Sequence, residues 1–346
     1  MNQDSPTNSS TTHATPVGSR VPHRLAVLLV CATFPLIWVG GLVTTMDAGM
    51  AVPDWPTTFG YNMFLYPWQT WVAGPWDQFV EHGHRLLGAV VGLLTILLAV
   101  SLWLADRRSW MKGLGLLAIV AVVFQGLLGG LRVIEDERLL AQIHGSFGPA
   151  FFALTVALAV CTSRLWLQEA PTANLNGACK LKRLALWTAC FAYIQLLAGA
   201  QLRHMAVEGD AKVFRISVAA HLFLALVLTI HVMWLAARIW NLPAVPAALS
   251  WPGALLAAGI LMQLTLGAGT WIVNYGWPSW LQDVGWAQTQ VVMRRGLAQS
   301  MFTTMHVAAG SLILGACVTI ALRSFRLFRD QAEIVSVTAH AAGAAA

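Results

Sequence analysis

Charge is the property this sequence has least of. Only 10% of its 346 residues are Asp, Glu, Lys or Arg, against 57% hydrophobic, which excludes an ordinary soluble domain with a hydrated surface. Cysteine is scarce as well. The five present, Cys31, Cys161, Cys179, Cys190 and Cys317, form no C-x-x-C pair, so neither a disulfide framework nor a thiol redox motif is expected. Lys and Arg are missing from Met46 to His84, a stretch that carries Asp47, Asp54, Asp77 and Glu81. No evident cleavage site follows the first apolar run, and no signal peptide is expected.

What the chain does have is long uncharged runs. Leu25 to Thr45, Leu86 to Ala105, Gly113 to Leu131, Leu139 to Ser163, Leu184 to Leu202, Ile216 to Ala237 and Gly296 to Leu322 each approach or exceed the roughly 20 residues needed to cross a bilayer as a helix. The run from Ile239 to Gln282 is too long for one helix. Pro243, Pro246 and Pro252 are expected to break its start and Pro278 its end, which leaves a span from about Gly253 to Asn274. Eight spans put both termini on one side. The tails and the loops after spans two, four and six hold 13 of the 21 Lys and Arg, which places that side in the cytoplasm. The net charge of +6 then reflects anchoring at anionic lipid headgroups, with Arg107, Arg108, Lys180, Lys182 and Arg183 among the anchors. No nucleic-acid partner is implied.

The spans repeat. Gln125-x-x-x-Gly129-Gly130 precedes His144, Gln195-x-x-x-Gly199-Ala200 precedes His221, and Gln263-x-x-x-Gly267-Ala268 precedes His306. The first span keeps only Gly40-Gly41 and is followed by His84. Four copies of odd helix, outer loop and His-bearing even helix imply two tandem, pseudo-symmetric four-helix bundles in an all-α integral membrane fold. The expected organisation is a disordered cytoplasmic tail over 1–24, a first half over 25–163, a cytoplasmic linker over 164–183, a second half over 184–323 and a tail over 324–346. The paired small residues are read as close-packing positions between helices.

Ionisable groups inside a bilayer are costly and tend to be functional. His84, His144, His221 and His306 fall toward the outer ends of even spans, and each is followed at i+4 by a small residue: Gly88, Gly148, Ala225 and Gly310. Positions i and i+4 share a helix face, so the missing side chain leaves a flat slot suited to the edge of a porphyrin. Histidine pairs on facing helices are standard axial ligands, and two hemes, one per half, follow. His13, His23 and His340 are read as solvated tail residues, and His82 and His204 as solvated loop residues. His231, ten residues past His221, lies about 15 Å deeper.

Glu81 precedes His84 by three residues and overhangs the same face. Two readings stand for it: a group acting at the ring edge, or a first-turn Glu paired with Arg85 at i+4. Arg85, Arg132, Arg203, Arg215 and Arg294 are candidates for heme propionates. The aromatic, turn-rich stretch from Val52 to Gly60, with Trp68, Trp71 and Trp76, belongs at the membrane interface or forms a lid over the first site.

Taken together, the eight-helix duplicated plan, Glu81-x-x-His84-Arg85 and the three later histidines resemble the heme A synthase family. The resemblance implies a membrane-bound oxidoreductase that converts heme O to heme A by successive hydroxylations of a ring methyl, for cytochrome oxidase assembly. It further implies heme O held by His84 and His144, a resident heme b held by His221 and His306, and Glu81 as the catalytic carboxylate. Partners would be heme O, membrane lipids, an unidentified electron acceptor, and heme O synthase or oxidase assembly factors. The sites would lie toward the outer face of the cell inner (cytoplasmic) membrane. Two departures are visible: the first outer loop has no cysteine pair, and at nearly forty residues it exceeds that of compact members. A b-type electron-transfer protein and a heme transporter or chaperone are the alternatives.

Overall fold

The computed structural model describes residues 20–168, 173–174, 178–205, 209–242, 246–281, 285 and 291–329. Most of the expected N-terminal tail, the C-terminal tail beyond residue 329, His13, His340 and Pro243 lie outside the described residues. Among the described residues, eight helices are long and apolar enough to cross a membrane. They are α1 (Val21–Thr45), α2 (Trp76–Ala105), α3 (Ser109–Ile134), α4 (Arg138–Thr162), α5 (Ala178–His204), α6 (Ala211–Trp240), α7 (Ala247–Tyr275) and α8 (Leu297–Leu327). This is an all-α, multi-pass membrane protein.

Several helices outrun the uncharged stretches. Helix α1 begins at Val21, with Pro22 in its first turn, where a missing N–H costs nothing; residues 21–24 are therefore helix and not tail. Helix α2 starts ten residues before Leu86, behind Pro75 and with Asp77 in its first turn, so Glu81 to Arg85 are all helical. Pro252 does not break α7 but sits inside it. A proline there cannot donate to the carbonyl four residues back, and Arg323 Nη1 on α8 takes that Ala248 carbonyl at 2.7 Å. Helix α7 ends at Tyr275, where Gly276 adopts φ +81° as only glycine does readily.

Helix contacts close into two rings. In the first, α1 packs on α2, α2 on α3, α3 on α4 and α4 on α1; in the second, α5, α6, α7 and α8 follow the same order. Helices α2 and α4 thus lie diagonally across one ring, and α6 and α8 across the other. The rings meet where α8 contacts α1 and α4, and α4 contacts α5. Phe152 of α4 keys this junction: it is buried, its ring approaches Phe34 of α1, and it fills the space beside Gly315 of α8. Outward positions such as Leu93, Leu104, Leu116 and Leu255 are exposed, as lipid-facing residues must be.

Short helical segments at Met63–Leu65, Trp68–Val72, Arg164–Gln168 and Ser279–Leu281 and two small ladders complete the described fold. Strands β1 (Thr57–Thr58) and β2 (Tyr61–Asn62) form a hairpin between α1 and α2. Strand β3 (Ala173–Asn174) pairs in parallel with β4 (Phe328–Arg329), joining the connection after α4 to the end of α8.

Phe152→Ala is expected to loosen the junction between the rings by about 3 kcal/mol, the low end for aromatic truncation because lipid also solvates the exposed surface. Unfolding in mixed detergent should show the loss, and Phe152→Leu should recover most of it.

Candidate functional site

The four predicted histidines occupy equivalent places, each in the first half of an even helix and against the preceding odd helix. A Cβ added at Gly40 of α1 would lie 2.8 Å from His84 Cε1, and one at Gly129 of α3 3.0 Å from His144 Cε1. Gly199 of α5 and Gly267 of α7 stand in the same relation to His221 and His306, at 3.2 and 3.1 Å. These glycines are seats for imidazoles, a more specific role than the helix packing expected of them. Across the diagonals the rings face in pairs. His84 and His144 have centroids 6.4 Å apart at 84°, and His221 and His306 6.3 Å apart at 67°.

The repeated glutamines hold the same helix pairs together. Gln125 Nε2 donates to the His144 carbonyl and Gln263 Nε2 to the His306 carbonyl, both at 2.9 Å, while Gln195 Nε2 lies 3.2 Å from both ring nitrogens of His221. His144 Nδ1 lies 3.1 Å from the Gln125 carbonyl. A carbonyl only accepts, so Nδ1 carries the proton and Nε2 is left as the basic nitrogen. That is the arrangement by which second-shell hydrogen bonds orient a metal-binding histidine.

Each pair offers two ligands, and among the described residues no group of three or more His, Cys, Asp or Glu side chains is placed to hold a metal ion. A tetrapyrrole supplies the other four donors itself. Two imidazole nitrogens about 2 Å from a shared metal put the ring centroids roughly 6 Å apart, so both pairs fit axial ligation of one heme each. The small residues below the histidines differ between the rings. A Cβ at Gly88 meets nothing within 4 Å and one at Gly148 only Gln125 Nε2 at 3.6 Å, whereas one at Gly310 meets Leu196 at 2.9 Å.

The segment from Met46 to Asn62 caps the first pair, and Glu81 and Arg85 hold it there. Glu81 is 1% exposed; its Oε2 accepts the Val52 N–H and its Oε1 accepts from Arg85 Nη2, both at 2.8 Å. Arg85 also donates to the carbonyls of Val52, Asp54 and Thr57, at 2.7, 2.6 and 3.0 Å. The i+4 pairing of Glu81 with Arg85 is therefore real, and it is also part of a cap. The Trp55 indole presses on Gly130 of α3, the second glycine of that pair, and Arg132 presses on Gly49. Asp54 organises the tip by accepting the N–H groups of Phe59 and Gly60 at 2.7 and 2.8 Å. Burial works against its charge, but these bonds and one from the Thr57 hydroxyl hold Asp54 below the usual carboxylate range.

Other histidines do not lie in tails or loops as the sequence suggested: all three are helical, His82 buried and His23 and His204 half-buried. His82 is buried on α2, with Nδ1 3.1 Å from the Thr58 hydroxyl and its ring against Tyr66 and Trp71. His23 lies in α1, 3.2 Å from the Thr162 hydroxyl, and His204 in the last turn of α5, with Nδ1 2.9 Å from the Ala200 carbonyl. All three were misassigned because the helices extend past the apolar runs. His231 lies on α6, donating Nδ1–H to the Val227 carbonyl at 2.9 Å. Among the candidate anion-binding arginines, Arg85 is committed to the cap and Arg203 to the Gly41 carbonyl and Thr45 hydroxyl of α1. Arg215 and Arg294 are exposed. Arg132 is half-buried beside the cap and makes no hydrogen bond among the described residues.

Arg85→Met should strand a buried carboxylate and release the cap, a penalty on the order of 3 kcal/mol; limited proteolysis should then cut within residues 48–62 where wild type resists. The pH dependence has a definite sign. Because the folded-state pKa of Asp54 is depressed, its contribution is complete above the ordinary carboxylate pKa and is lost as pH falls through the lower folded value. Hydrogen exchange at Phe59 and Gly60 should accelerate only under that acid condition, and Asp54→Asn should show faster exchange already at neutral pH.

Comparison with known proteins gives this arrangement a context. Residues 23–207 match the model of the COX15-CtaA family, described as cytochrome oxidase assembly protein. That stretch contains Glu81, His84 and His144 and ends before His221. Similar curated proteins include the heme A synthase of Shouchella clausii, 30% identical over 189 residues, which are 52% of this chain and 58% of the relative. That of Alkalihalophilus pseudofirmus is 26% identical over 188 residues, 52% and 60% of the two chains. That of Symbiobacterium thermophilum is 29% identical over 178 residues, 49% and 55%. The matched region thus spans little more than half the length of these relatives. With the family model covering more than half of the chain, and the eight-helix frame and His-bearing even helices in place, this protein belongs to the COX15-CtaA family of cytochrome oxidase assembly proteins.

Proposed function

We propose that this protein is a heme A synthase, oxidising one ring methyl of heme O to a formyl group by successive hydroxylations. The observation that carries the reading is the pair of diagonal imidazole couples, 6.4 and 6.3 Å between centroids, with a buried carboxylate, among the described residues, beside only the first. The relatives named heme A synthase supply the substrate and the reaction. His84 and His144 bind heme O as substrate; His221 and His306 hold a resident heme b. The open space at Gly88 and the filled space at Gly310 support that division, because a substrate site must exchange its occupant and a cofactor site need not.

The chain's own contributions follow from its geometry. The two imidazoles of the first ring orient the substrate, with Nε2 of His144 kept basic by the bond from its Nδ1–H to Gln125. Glu81, one helical turn before His84, provides negative charge against positive charge developing at the methyl carbon and accepts a proton from the incoming water. Arg85 and the Val52 N–H aim that carboxylate. The cap from Met46 to Asn62 keeps bulk water from the oxidised intermediate. In the second ring a bound heme b would supply one-electron transfer toward an external acceptor. Both termini would face the cytoplasm and both sites the outer side of the inner membrane, as the Lys and Arg distribution indicates. Heme O synthase and oxidase assembly factors are the partners expected to deliver substrate and receive product.

Extraction and mass analysis of hemes from protein coexpressed with a heme O source tests the reading. Wild type should yield heme A or its alcohol precursor. Glu81→Gln should cut that yield by 100-fold or so, within the range for loss of a general acid–base group, while retaining bound heme. Heme b alone from wild type, unaffected by the substitution, would instead identify an electron carrier, and release of unmodified heme O a transporter. His221→Ala and His306→Ala should each remove the low-spin bis-imidazole absorption of the second ring and leave heme O binding in the first.

A further inference from the structure

At the opposite end of the bundle from the four histidines, α5 and α6 form a cleft of about 300 Å³. Lys180 and Arg183 enter it from the first two turns of α5 and Arg238 from the last turn of α6. Among the described residues no acidic side chain lines the cleft, and none of the three cations makes an ion pair. Deeper in, Trp187 and Trp234 flank it, 57% and 51% exposed, and neither indole N–H donates a hydrogen bond among the described residues. His231 lines the cleft as well, and its ring lies tilted against Phe191 with centroids 4.6 Å apart.

We propose that this cleft is a binding site for the phosphodiester headgroup of an anionic phospholipid. Three converging cations without counter-ions fit a phosphate, since basic pockets between transmembrane helices bind such headgroups. The two tryptophans sit one to two turns nearer the membrane centre, the level at which indoles bridge headgroup and acyl chain. A free inorganic anion would use the cations but have no use for the indoles. The apolar lower cleft therefore favours the lipid as source.

The test is native mass spectrometry of the full chain in detergent, titrated with phosphatidylglycerol or phosphatidylcholine, and with inorganic phosphate as competitor. Wild type should retain one phosphatidylglycerol under conditions that strip phosphatidylcholine, and millimolar phosphate should not displace it. Each cation near an anionic headgroup is worth about fivefold in affinity, so Lys180→Gln/Arg183→Gln/Arg238→Gln should bind on the order of a hundredfold more weakly. Arg24→Gln/Arg107→Gln/Arg164→Gln, which removes equal charge from exposed positions at the same end, should bind as wild type does. Trp187→Leu/Trp234→Leu should weaken retention with all cations present, and Arg183→Lys/Arg238→Lys should preserve it, so the question is answered even if the triple variant fails to fold. Equal loss in the two triple variants, equal retention of both lipids, or displacement by phosphate would overturn the proposal.

Discussion

Four imidazoles lie inside a membrane protein because four glycines make room for them. A side chain at Gly40, Gly129, Gly199 or Gly267 would approach the neighbouring His Cε1 to 2.8–3.2 Å, closer than a packed interior allows without displacement. Each glycine therefore fixes two things together: how near an odd helix comes to the following even helix, and where the imidazole between them points. The glutamine one turn earlier repeats the arrangement in three of the four pairs, tying helix to helix through the histidine's own carbonyl or ring. The diagonal distances between rings follow from these seats, and so does everything the protein can bind there.

The second glycine of a pair serves the surroundings of the site. Gly41 accepts the Thr304 side chain of α8, and its carbonyl, with the Thr45 hydroxyl, receives Arg203 of α5, so the two rings are joined close to both histidine couples. Gly130 accepts Trp55 and thereby anchors the cap. Arg203, half-buried at this junction, is satisfied by a carbonyl and a hydroxyl oxygen, which spares it an unpaired charge.

Much of this was legible in the sequence. The uncharged runs located eight spans, and the repeated Gln, Gly and His positions picked out the four histidines that the fold brings together in pairs, since in a bilayer each departure from apolar composition is costly enough to stand out. Less legible was whatever depended on where helices end outside the apolar region. His82, His23 and His204 were assigned to solvent because hydropathy marks the bilayer and not the helix; capping signals at Pro75 and Asp77 were the available clue for His82. Pro252 was read as a breaker because its compensation, Arg323 on a helix seventy residues away, has no local signature. The ties from Arg85 to Val52, Asp54 and Thr57 were invisible for the same reason: a guanidinium that binds main-chain carbonyls selects no particular partner residues.

The cap explains why a long first loop and an i+4 ion pair belong together. Glu81 is buried under Val52, and a buried carboxylate without partners would be strongly disfavoured. Arg85 offsets that cost, but its remaining donors then also need acceptors in a place where water is excluded. The loop supplies them as main-chain carbonyls, and Asp54 folds the loop so that they converge. Removing any one member leaves another unsatisfied, so carboxylate, guanidinium and cap form one cooperative unit over the first couple of histidines. Among the described residues the second couple has neither a carboxylate nor a cap of this kind, and Leu196 fills the place below His306 that stays open below His84. Two rings with the same helix order thus differ in the space beside their histidines and in what lies over them, the kind of difference that the proposed division between a substrate site and a cofactor site requires.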